Sequence, residues 1–174
     1  MNIALTGFMG SGKSAVGKIL AEKLGMEFTD TDKLIEDSAE LSIAEIFDKH
    51  GEAVFRRMEA EAVEAVCEKD NTVISCGGGA VLNPKNIGNL RKKGIIINLK
   101  VSAQNAYERI KGDSSRPLLK GKNFPDAMEK LMKEREGFYA DCDYCVDTNG
   151  KAPAEIAGEI VKTVERKNIK QIEK

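Results

Sequence analysis

Short apolar runs and helix-spaced apolar positions alternate from one end of the chain to the other. Ile3-Ala4-Leu5-Thr6 reads as a buried strand ended by a glycine-rich turn. Over residues 13–24 the apolar positions Val16, Ile19, Leu20 and Leu24 recur at helix spacing, and Gly25 supplies a stop. Glu27-Phe28-Thr29 reads as a second strand running into Asp30-Thr31-Asp32. Residues 33–39 and 42–49 read as short helices and 52–69 as a longer one, carrying Phe55, Val63 and Val66. A third strand, 72–76, closes on Gly77-Gly78-Gly79. Helix over 84–92, strand over 94–99, helix over 103–110, helix over 125–138, strand over 144–147 and helix over 153–167 complete the series. Between 111 and 124 apolar anchors are few and Gly, Ser, Asp and Pro abound, which predicts a mobile loop. Short apolar strands alternating with helices predict an α/β fold with a mostly parallel sheet covered on both faces.

Composition narrows the class. A chain of 174 residues fits a single domain, 1–174, with a proper core. A net charge of −1 argues against non-specific nucleic-acid binding, which needs a basic excess. The pair Cys142 and Cys145 lacks a second such pair, and the single histidine, His50, is distant in sequence, so reduced cytosolic thiols are expected rather than a zinc site. The run Ile95-Ile96-Ile97 is too short to span a bilayer, and nothing near Met1 reads as a secretory leader. A soluble cytoplasmic protein with neither membrane nor nucleic-acid partner is the expectation.

Candidate chemistry begins at Gly7-Phe8-Met9-Gly10-Ser11-Gly12-Lys13-Ser14, a full G-x-x-x-x-G-K-[ST] between a predicted strand and a predicted helix. Glycines let the backbone turn and approach a ligand closely. Its N–H groups and the helix N-terminus favour phosphate oxygens. Lys13 adds a cation for the β- and γ-phosphates, and the Ser14 hydroxyl is a hard ligand for Mg²⁺. No Asn-Lys-x-Asp guanine-reading motif occurs, and the length suits a small-molecule kinase.

Asp30 and Asp32 lie where the second strand ends, at the sheet edge that collects ligands. On an extended segment two such carboxylates point the same way. One could reach toward Mg²⁺ and the other accept a hydrogen bond from a hydroxyl nucleophile. One of them could equally cap the helix that follows. Arg56 and Glu59 share a helix face, which by itself reads as a surface ion pair. The three glycines at 77–79 permit close backbone approach to a ligand, or simply make a flexible turn.

The ordered set G-F-M-G-S-G-K-S, D-T-D, F-R-x-x-E, C-G-G-G, S-R-P-L-L and E-R-E-G-F-Y resembles shikimate kinase, an enzyme of aromatic amino-acid biosynthesis, over nearly the whole chain. The resemblance implies a nucleoside-monophosphate-kinase-like fold: a five-stranded parallel sheet flanked by helices, an acceptor-binding region at about 32–60 and a lid at about 111–124. It implies ATP and shikimate as substrates, Mg²⁺ as cofactor and phosphorylation of the shikimate 3-hydroxyl. Gly10, Ser11, Gly12, Lys13, Ser14 and Ala15 would hold ATP, and Ala15 stands where a threonine often follows the P-loop serine. Asp32 would orient or deprotonate the attacking hydroxyl. Arg56 and Arg135 would clamp the carboxylate, with Glu59 holding Arg56 and with Gly77, Gly78 and Gly79 lining the acceptor. Arg116 would bring charge onto the transferring phosphates, and Asp30 would reach Mg²⁺ through water beside Ser14. Val146-Asp147-Thr148 resembles the adenine loop, with Arg109 stacking on the base and Lys151 contacting ATP. Lys13, Asp32 and Arg116 are thus the expected catalytic set. A monomer is expected. The rival expectations are another small-metabolite kinase of this fold, such as a gluconate kinase, and a nucleotide-binding regulatory module without turnover.

Overall fold

The computed structural model describes residues 1–111 and 124–172. The elements run β1 (Asn2–Thr6), α1 (Lys13–Leu24), β2 (Glu27–Asp30), α2 (Thr31–Ala39), α3 (Ile43–Cys67) and β3 (Thr72–Ser75). A 3-10 turn (Ala80–Leu82) leads to α4 (Pro84–Lys92), β4 (Gly94–Lys100), α5 (Ala103–Ile110), α6 (Phe124–Ala140), β5 (Tyr144–Asp147) and α7 (Pro153–Ile172). The five strands form one sheet in the order β2-β3-β1-β4-β5, with every pairing parallel. Parallel neighbours need long crossovers, and the helices that provide them cover both faces.

That burial on both faces explains why β1 carries no polar alternation: all five of its residues are buried. Ile3 and Leu5 face a cluster with Val16 and Leu20 of α1 and Ile156 and Ile160 of α7. Ala4 faces the opposite cluster, with Val63 and Val66 of α3 and Ile87 and Leu90 of α4. A smaller cluster of Ile35, Ile46 and Phe55 joins α2 to α3. This third cluster carries the apolar wall of a cavity described below.

Helix α1 ends where the glycine signal put it. Gly25 takes the left-handed conformation (φ 62°), and the Met26 N–H reaches back to the Ala21 carbonyl at 2.9 Å. One local expectation needs correction. Asp30-Thr31-Asp32 is not extended throughout. Helix α2 begins at Thr31, and Asp30 caps it by accepting from the Asp32 N–H at 3.0 Å. One carboxylate therefore stands at the strand end and the other on the first helical turn, and both line the cavity at the phosphate loop. The two helices expected over 42–49 and 52–69 are both present, as the two segments of α3 on either side of a break at Gly51, where φ 78° and ψ 171° leave helical geometry. Ser42 and Glu45 start it with a reciprocal capping box. The lid expected over about 111–124, Arg116 included, lies outside the described residues apart from its two ends.

Candidate active site

The loop from Gly7 to Gly12 leaves the C-terminal end of β1, the central strand. Gly10 has φ 77°, and a Cβ there would lie 2.8 Å from the Ala106 carbonyl oxygen of α5. No other residue type fits that turn without displacing backbone. No side chain caps α1, so its first N–H groups remain turned toward the loop. Lys13 Nζ donates to the carbonyls of Gly7 at 2.8 Å and Phe8 at 3.2 Å, which keeps its ammonium over the loop. Ser11 is fully buried within it.

The parallel order sets the ends of β2 and β3 beside this loop. Ser14 Oγ donates to Asp30 Oδ2 at 2.6 Å and lies 3.3 Å from Ser75 Oγ. These are hard oxygen donors at the phosphate edge, a set that suits Mg²⁺. Among the described residues no group of three His, Cys, Asp or Glu could form a metal cage. The donor set therefore fits an ion that arrives largely held by nucleotide phosphates and water. Thr31, completely buried, ties the strand ends together: its Oγ1 accepts from the Gly77 N–H at 2.9 Å and faces the Ser75 carbonyl at 3.3 Å. Sequence reading assigned Thr31 no part. Its one signal was a hydroxyl residue between two aspartates.

A cavity of about 320 Å³ opens beside the loop. Asp32, Arg56, Glu59, Gly78, Gly79 and Arg135 line its polar side, and Met9, Phe47 and Phe55 its apolar side. Two of the three glycines are required by the side chains that reach them. A Cβ on Gly77 would stand 2.5 Å from Asp32 Oδ1 and 2.7 Å from Glu59 Oε1, and a Cβ on Gly79 would coincide with the Arg56 guanidinium. Gly79 has φ −101°, an ordinary value, so space alone requires glycine there. Gly79→Ala is accordingly expected to leave the thermal midpoint within a few degrees, because a flexible side chain can swing away. It should raise KM for the acceptor by roughly tenfold or more, the scale of a displaced charge-assisted contact. Steady-state kinetics that leave the acceptor KM unchanged would remove Arg56 from acceptor binding.

Arg56 Nη1 donates to Glu59 Oε2 at 2.8 Å. Burial works against the Arg56 charge, but Glu59 and Glu52 outweigh it and hold the guanidinium pKa above its usual value. Burial, helped by the Asp32 charge, holds the Glu59 carboxyl above its usual range against the lowering pull of Arg56. Arg135 projects from α6 and is 6% exposed. Four residues on, on the same helix face, the Tyr139 hydroxyl donates to the Gly78 carbonyl at 2.6 Å. Its ring packs edge-on against Phe8 of the phosphate loop at 6.5 Å. Tyr139 thus links the two loops, a part that the E-R-E-G-F-Y motif alone did not disclose.

A second cavity of about 290 Å³ contains Gly10, Gly12, Lys13, Ser14, Ala15 and Asp30. It shares Met9, Asp32 and Gly78 with the first. Arg109 also lines it, and its guanidinium donates to the Gly10 carbonyl at 3.0 Å and the Thr148 carbonyl at 2.8 Å. That joins the phosphate loop to the loop after β5. Lys151 is not among the residues of this cavity; its ammonium pairs with Glu159 of α7 at 2.7 Å.

Cys76, next to the glycine run, is buried, and burial drives its thiol far above the ordinary range. Burial pushes Cys67 up to about 11. Cys145 is exposed. In native protein at neutral pH a maleimide is expected to label Cys145 first, with Cys67 and Cys76 reacting only in denaturant. Peptide mass spectrometry reads this directly, and early labelling of Cys76 would show a reactive thiol beside the site.

A phosphate-binding loop whose cavity shares Asp32 with a guanidinium- and carboxylate-lined one, at the C-terminal edge of a parallel sheet, defines a P-loop kinase acting on a small molecule. Residues 9–165 match the family model for shikimate kinase. The shikimate kinase of Geobacter sulfurreducens is 47% identical over 163 residues, covering 94% of this chain and 90% of that protein. A solved shikimate kinase from Acinetobacter baumannii, in complex with shikimate, superposes with a TM-score of 0.92 at 34% identity, over 95% of this chain and 93% of that one. The chain belongs to the shikimate kinase family. A gluconokinase from Sinorhizobium meliloti 1021, 18% identical with a TM-score of 0.61 over 95% of this chain and 91% of its own, shares the fold alone.

Proposed function

We propose that this protein transfers the γ-phosphate of ATP to the 3-hydroxyl of shikimate, giving ADP and shikimate 3-phosphate. The observation that carries the reading is that the two cavities share Asp32, Met9 and Gly78. A hydroxyl in the first cavity can therefore meet a phosphate in the second with Asp32 beside both. Phosphoryl transfer needs mainly alignment and charge neutralisation. In this reading Asp32 orients the hydroxyl and takes its proton, and Lys13 neutralises the transferring group. Arg56 and Arg135 hold the acceptor carboxylate, since a guanidinium fork matches a carboxylate. Phe47 and Phe55, with ring centroids 4.8 Å apart, offer an apolar wall for a carbocyclic face.

Ser14 and, through water, Asp30 would hold Mg²⁺, which when bound supplies Lewis-acid neutralisation of the phosphate oxygens. Arg116 would add positive charge from the lid, and Arg109 would sit at the adenine. Lys151 would reach ATP only by leaving Glu159, which holds its ammonium. The chain would act as a single domain and a monomer in the cytoplasm. None of its described helices is long and apolar enough to cross a membrane.

The test is ADP release with Mg-ATP, with and without shikimate, and with gluconate as control. Release that depends on shikimate and not gluconate is expected. Release unaffected by shikimate from folded, ATP-binding protein would refute the acceptor assignment.

A further inference from the structure

The Arg56 guanidinium is gripped from two sides. Glu59, 1% exposed, takes Nη1 from below. Glu52 takes the other edge: its Oε1 accepts from Nε at 3.2 Å and from Nη2 at 3.0 Å. Glu52 is the first residue after the break at Gly51, so it opens the second helical segment of α3 one turn before Arg56. The guanidinium in turn lies on the space that Gly79 leaves free. An arginine stem is long, and a single contact at Nη1 leaves the guanidinium plane free to turn about the Cδ–Nε bond. A second contact on the Nε–Nη2 edge removes that freedom.

We propose that Glu52 is a positioning residue for the acceptor: by holding the Nε–Nη2 edge it turns the remaining N–H groups of Nη1 and Nη2 into the acceptor cavity, as a fork for a carboxylate. The inference deepens the proposed function and rests on Arg56 binding the acceptor carboxylate. An ordinary i,i+4 surface pair has the same spacing, and the Glu52 side chain is 51% exposed. Such a pair would leave substrate affinity untouched. A carboxylate that merely competed with the acceptor for Arg56 would have the opposite effect on KM.

The test is steady-state kinetics of Glu52→Ala and Glu52→Gln beside the wild type, with thermal midpoints. Glu52→Ala is expected to raise the KM for shikimate about five- to tenfold, with kcat and the KM for ATP within twofold. Glu52→Gln, which keeps an acceptor oxygen at the same reach, should recover part of that loss. In an Arg56→Lys background Glu52→Ala should add little, because an ammonium has no plane to orient. An unchanged or lowered KM in folded Glu52→Ala would overturn the proposal, as would an undiminished effect in the Arg56→Lys background. Wild-type protein without shikimate-dependent turnover would overturn the proposed function and this inference together. Turnover with an indifferent Glu52→Ala would overturn the inference alone.

Discussion

Lys13→Ala is expected to lower kcat by about a thousandfold or more while the protein stays folded. The ammonium hangs over the phosphate loop, 2.8 Å from the Gly7 carbonyl and 3.2 Å from that of Phe8. In the proposed reaction it would neutralise the charge that develops on the transferring phosphoryl group. Groups preorganised in this way typically contribute about 10²–10³-fold each, and a cation on a phosphoryl group reaches roughly 10³–10⁵. A thousandfold loss corresponds to about 4 kcal/mol. The fold should tolerate the change, because the turn is held by backbone. Gly10 supplies its positive φ, and the Ser11 N–H donates to the Phe8 carbonyl at 3.1 Å. ADP release and a thermal melt on the same sample check both halves. A kcat within tenfold of wild type would take Lys13 out of the chemistry.

If Asp32 takes the proton as proposed, Asp32→Asn should cost a comparable amount, about 10²–10⁴-fold in kcat, because the amide keeps the shape but not the basicity. The side chain that caps α2 belongs to Asp30, and the bond it makes is to the Asp32 backbone N–H. The substitution therefore leaves the helix start intact, and the thermal midpoint should move little. The KM for the acceptor should change only a few-fold, since the amide can still bond a hydroxyl. If kcat stayed within threefold, Asp32 would be a binding group only, and the proton would need another destination.

The two residues differ in how much of their setting the sequence disclosed. Lys13 belongs to a motif whose geometry is local: glycine spacing, a strand before and a helix after. The structure returns α1 at Lys13–Leu24, as the apolar spacing predicted. The setting of Asp32 was misjudged as extended, because nothing in Asp30-Thr31-Asp32 marks which aspartate ends the strand. Burial of Thr31 against β3 decides it, through the Gly77 N–H and the Ser75 carbonyl. Glu52 was visible four residues before Arg56 and went unread, since a helix surface offers many such pairs and spacing does not rank them.

Periodicity and turn chemistry therefore determined the element series, the α/β class, the phosphate loop and the glycine stop at Gly25, all of which depend on residues within one or two turns of one another. The ordered motifs determined the family. The tertiary structure alone decided the order β2-β3-β1-β4-β5, which puts the ends of β2 and β3 beside the phosphate loop. It also decided why residues 77 and 79 are glycine, namely that Asp32 and Glu59 at the first and Arg56 at the second arrive from α2 and α3 to occupy the space a Cβ would take. The placing of Asp32 in the lining of both cavities was likewise its decision. Those contacts lie between residues far apart in sequence, and their geometry is set by how the helices pack on the sheet, which no local pattern encodes.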